Sequence, residues 1–120
     1  MKAEELMRFD WVHLVDDNTP RQVDWIRSGE VGLFWNKTVT PPYLGPIPLT
    51  PEILEKNGLV FMAGLWYLRT EERKPIQIVF KDNNVITLSI NATPVPIGLK
   101  YVHQLQHALR LYGIEKTIEL

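Results

Sequence analysis

Cysteine is absent from this chain of 120 residues, which excludes disulfides, thiol nucleophiles and thiolate metal sites together. No run approaches the roughly eighteen apolar residues that a helical membrane span requires. The opening MKAEELMRFD is too charged to hold the apolar core of a signal peptide. An excess of one charge is missing too: thirteen basic against fourteen acidic residues leave a formal −1, too balanced for the general attraction that marks a bulk nucleic-acid binder. The expectation is a cytoplasmic protein with no membrane contact. Histidines number three, and there is neither a Gly-rich phosphate loop nor a GxSxG elbow, so nucleophilic and phosphate chemistry have little to be built from.

What is present suits one compact domain or two small lobes sharing a core, since 45% of the residues are hydrophobic. The clearest periodicity lies in 98–113, GLKYVHQLQHALRLYG. On a helical wheel Tyr101, Val102, Leu105, Ala108, Leu109 and Tyr112 share one arc, while Lys100, His103, His107 and Arg110 gather opposite. These four are the candidate partner-binding residues, suited to an acidic protein surface. Gly113 and Ile114 read as a Schellman closure, whereas Pro94, Pro96 and Gly98 offer no side-chain oxygen to cap the first amides. Segment 114–120 approximates an edge strand.

Ahead of that helix the pattern divides. Strands are expected at 8–15, 22–26 and 31–35, with turn chemistry in 16–20 and around Gly29, which together describe a small meander or an SH3-like barrel. Five of the nine prolines then fall in 41–51, reading as a stiff connector. Thr50 as N-cap, Pro51 at the first helical position and Leu49 against Leu54 write the start of a short helix, and Asn57 and Gly58 its end. Strands follow at 59–62, 65–69, 76–80 and 85–90. Ile76, Ile78, Phe80, Ile86, Leu88 and Ile90 make one face strongly apolar, and the stripe of the 98–113 helix is the expected cover. The expected fold class is therefore α+β, with a β lobe over 1–45 and an α+β lobe over 46–120.

PIPLTPEILEKNGL at 46–59 and LKYVHQLQHALRLYGI at 99–114 resemble a family of small uncharacterised proteins carried by phages and mobile elements of Bacteroides-type gut bacteria. The resemblance covers mainly the second half of the chain. It implies a setting, with no activity, cofactor or catalytic residue attached.

Three function classes can be weighed on the residues. HQLQH places His103 and His107 at the spacing of two metal ligands, but Gln104 stands where a zinc protease needs its glutamate base. No metal, cofactor or catalytic set is expected, and the chain reads as a non-enzymatic interaction or accessory protein. The alternative is a nucleic-acid-binding module in the N-terminal lobe, where Trp11, Trp25 and Trp35 neighbour Arg8, Arg21, Arg27 and Lys37. Charge opposes it: residues 1–48 carry five basic and seven acidic side chains, net −2.

Overall fold

The computed structural model describes residues 5–15, 17–27, 29–34, 37–39, 44–81, 86–96 and 98–120. Trp35, Pro41, Pro42 and the expected turn at 82–84 lie outside these. The architecture is α+β, with two antiparallel five-stranded sheets. The chain divides into two compact units, Met1–Pro48 with Tyr101–His103, and Leu49–Lys100 with Gln104–Leu120.

In the first unit, β1 (Trp11–Leu14) pairs with β2 (Asp17–Arg27), β2 with β3 (Glu30–Leu33), β3 with β4 (Lys37–Val39), and β5 (Leu44–Pro46) returns antiparallel to β1. Alternation sends Val12, Leu14, Val23, Val31, Leu33 and Leu44 into one buried cluster joined by Leu6. Two sequence expectations change here. β2 begins at Asp17, so Thr19 and Pro20 are strand residues instead of turn residues. Pro20 is tolerated because β3 pairs only from Val23 onward, leaving β2 with a single neighbour where Pro20 faces His13. Likewise β5 lies inside the proline-rich stretch and uses it as an edge strand.

The second unit opens with α1 (Pro51–Lys56). Its cap is the expected one: the Ile53 N–H donates to Thr50 Oγ1 at 3.4 Å, and Pro51 stands at the helix start. Then comes a meander of β6 (Val60–Met62), β7 (Leu65–Leu68), β8 (Ile76–Phe80), β9 (Ile86–Ile90) and the two-residue β10 (Thr93–Pro94). Ile76, Ile78, Ile86, Leu88 and Ile90 are buried, as are Leu54 of α1 and Leu105, Ala108 and Leu109 of α2 (Val102–Leu111).

α2 starts later than its periodicity predicts, because Leu99 bridges Ile86 and Tyr101 bridges Pro48, holding the chain extended up to its first turn. The first helical amide is met by a backbone carbonyl instead of a side-chain cap, Val102 N–H donating to Ile47 O at 2.8 Å, while Gln104 Oε1 accepts from the Lys100 N–H at 2.8 Å just ahead of the helix. The other end closes as expected: Ile114 N–H donates to Leu109 O and Gly113 N–H to Arg110 O, with Gly113 at φ 74°. Segment 114–120 is not a strand. Ile114 and Ile118 are buried, and Asn57 supplies the ladder in place of a backbone, donating to Glu119 O at 2.8 Å and accepting from Glu119 N–H at 2.7 Å.

Candidate functional site

The polar side of α2 is narrower than the wheel implies. Lys100 is exposed and His107 and Arg110 are half-buried, but His103 is only 4% exposed, its ring stacked on Tyr101 at 5.9 Å and 9°. His103 therefore cannot present itself to a partner as its place in the sequence proposes. The wheel alone does not foresee this, since His103 sits about 160° from the middle of the apolar arc; it lies beside Tyr101 among the contacts of the first unit, and Gln106 is buried as well. Among the described residues no group of three or more His, Asp or Glu side chains is placed to hold a metal ion. Neither is any described helix long and apolar enough to cross a membrane.

The strands at 59–62 and 65–69 form the β6–β7 hairpin, but its exposure was not foreseen. Val60, Phe61 and Met62 are 54%, 59% and 56% exposed, an apolar group at the end of the second sheet. Ala63 and Gly64 connect the strands with φ of 52° and 82°, the positive pair that a type I′ turn demands. Such a two-residue loop fixes the register, pairing Met62 with Leu65, Phe61 with Trp66 and Val60 with Tyr67. Register also fixes faces. Phe61 lies beside Trp66, Trp66 beside Ile78 and Ile78 beside Leu88, so one row crosses four strands on the core side of the sheet. Along that row Leu88 and Ile78 are buried, Trp66 is half-covered, and Phe61, its ring 5.3 Å from that of Trp66, is open. A signal was available, since 57–68 contains no charged residue at all.

A second cluster lies on the first unit. Phe9 and Phe34 stack at 5.8 Å with the Arg8 guanidinium 4.7 Å from the Phe9 centroid and 5.9 Å from that of Phe34. Arg8 also pairs with Asp24 at 3.2 Å. Phe9 is held at φ 73°, a costly conformation for a bulky residue, fixed by its N–H donating to Val23 O and by Gln22 Nε2 donating to its carbonyl. Nearby in sequence, Trp25 lies flat over Gly32, where a Cβ would come within 2.0 Å of the indole, and Arg27 sits 5.5 Å from its ring. His13 covers Gly45 in the same manner, with Nδ1 2.7 Å from Leu14 O.

One cleft of about 530 Å³ opens in the second unit, lined by Glu71, Glu72, Glu115 and Glu119 together with Arg69 and Lys116. None of the three histidines lines it, and among its carboxylates Glu72 Oε2 is buried with no hydrogen-bond partner among the described residues. No protein-family model matches the chain, and no curated protein or solved structure is detectably similar to it.

Proposed function

We propose that this chain is a non-enzymatic interaction module whose docking element is the β6–β7 hairpin. The observation that carries this reading is the cross-strand row Leu88, Ile78, Trp66, Phe61, which belongs to the core at one end and lies open at the other. An exposed apolar edge is a template for another strand, and soluble proteins normally guard it with charge or proline. The resemblance to mobile-element proteins supports an accessory role in the cytoplasm. The strand order of the first unit, with β2 shared between β1 and β3 and β5 returning to β1, supports an SH3-like barrel there.

The test is capture from a lysate of the source cells with the tagged chain, its Phe61→Lys variant and a Lys100→Glu/Arg110→Glu variant. Loss of the captured protein in Phe61→Lys alone supports the hairpin. Loss in the charge-reversed variant alone moves the docking surface to α2 and an acidic partner.

A second reading, single-stranded nucleic acid on the first unit, is favoured by the Arg8–Phe9–Phe34 stack and the Arg27–Trp25 pair, which place cations and π-faces together. Titrating the indole fluorescence with oligonucleotides at low salt tests it, and a Trp25 signal unmoved at any concentration removes it.

A further inference from the structure

We infer that the occupant of the β6 edge is the β6 edge of a second copy of this chain, the two strands pairing antiparallel about a two-fold axis at Phe61. This rests on the reading of β6 as the docking element and names what docks. In a hairpin closed by a two-residue loop, the residues flanking the loop exchange both ladder bonds. Met62 with Leu65 and Val60 with Tyr67 are thus the bonded pairs, and Phe61 with Trp66 is the non-bonded one, where side chains approach most closely. It follows that the Phe61 N–H and C=O are directed away from β7. Among the described residues no strand lies beyond β6 to receive them.

Two-fold pairing at Phe61 lets each copy's Phe61 donate to and accept from the same residue of the other. The apolar row then runs unbroken through both sheets, and each five-stranded sheet becomes half of a continuous one. Val60 faces Met62 of the second copy and Leu59 faces Ala63, so every opposed pair is uncharged and no like charges meet. Lys56 and Arg69 flank this neutral stretch from outside the paired residues. Two of the other sheet ends are guarded: β10 contains Pro94 and β5 ends in Pro46. An acidic or basic partner strand would gain no charge complement from β6, whereas β6 itself is matched in polarity and length. The exposed side chains offer on the order of a few hundred Å² per copy, short of the roughly 800 Å² of a standard stable interface. The dimer is accordingly weak and concentration-dependent.

The test uses the purified chain. Sedimentation velocity over roughly a hundredfold range of concentration should pass from monomer to dimer, with Phe61→Lys monomeric throughout at unchanged circular dichroism and melting temperature. Because the chain has no cysteine, single replacements report register: Phe61→Cys places two thiols opposite one another within disulfide reach. Val60→Cys, equally exposed, faces Met62 instead, and should cross-link about tenfold more slowly, lacking the effective concentration that pairing supplies. A chain monomeric at every concentration overturns the inference, as does a dimer that survives Phe61→Lys or equal cross-linking of the two cysteine variants. Self-pairing and partner docking fail separately, since a monomeric chain that still loses its captured protein in Phe61→Lys lends the same edge to a foreign strand.

Discussion

Asn57 is one buried amide holding two segments, and its removal should show as coupling. Its Nδ2 donates to Ile53 O at 2.7 Å and Glu119 O at 2.8 Å, and its Oδ1 accepts from Glu119 N–H at 2.7 Å, at 4% exposure. Ile53 O also accepts from the Asn57 backbone N–H, so that bond is the least costly to lose. The two to Glu119 leave backbone groups that water reaches, Glu119 being exposed. At about 1 kcal/mol net per bond, Asn57→Ala should cost about 2–3 kcal/mol. Ile118→Ala, a cavity at a buried site, should cost about 2–4 kcal/mol by itself. If Asn57 is what seats 114–120, the second loss is partly included in the first, and the double variant should fall short of the sum by about 1 kcal/mol. Urea denaturation with a common slope measures all four corners of the cycle. Strict additivity, or an Asn57→Ala cost below about 0.5 kcal/mol, would refute the pinning argument.

Three further outcomes follow from the same structure. Leu105→Ala should cost about 2–5 kcal/mol in chemical denaturation, since its side chain is buried within the second unit, and a loss below about 1 kcal/mol would place the stripe of α2 outside the core. Gly113→Ala should cost about 1 kcal/mol, because φ of 74° strains any Cβ although the nearest atom, Lys74 Nζ at 3.6 Å, leaves room; no change in urea midpoint would contradict the Schellman closure. Lys100→Glu with Arg110→Glu should leave the melting temperature within a degree or so, exposed and half-exposed charges contributing little.

Local chemistry carried much of the fold into view. The alternation of Ile76, Ile78, Leu88 and Ile90 was legible because one face is buried and the other is not. The Thr50–Pro51 start and the Gly113–Ile114 stop were legible because caps depend on backbone groups within one turn. What depends on distant partners was hidden. Pro20 reads as a turn residue until β3 is seen to leave that side of β2 free, and β5 reads as linker until β1 receives it. β10 holds two residues, too few for any periodicity. His103 reads as a surface residue on its own helix, yet it is buried, its ring stacked on Tyr101. The exposure of β6 was hidden for the opposite reason: an apolar, charge-free stretch at 57–68 promises core strands, and the sequence cannot say that their sheet ends there.

The central claim, an open β6 edge with Phe61 at its centre, is met most directly by backbone amide exchange followed residue by residue against protein concentration. Val60 and Met62 are bonded to β7 in every state and should be protected in dilute and concentrated samples alike. The Phe61 amide, directed away from β7, should exchange freely when dilute and slow by about tenfold or more as copies pair. A Phe61 amide already protected in dilute solution, or one whose exchange is indifferent to concentration and to any captured partner, would contradict the account.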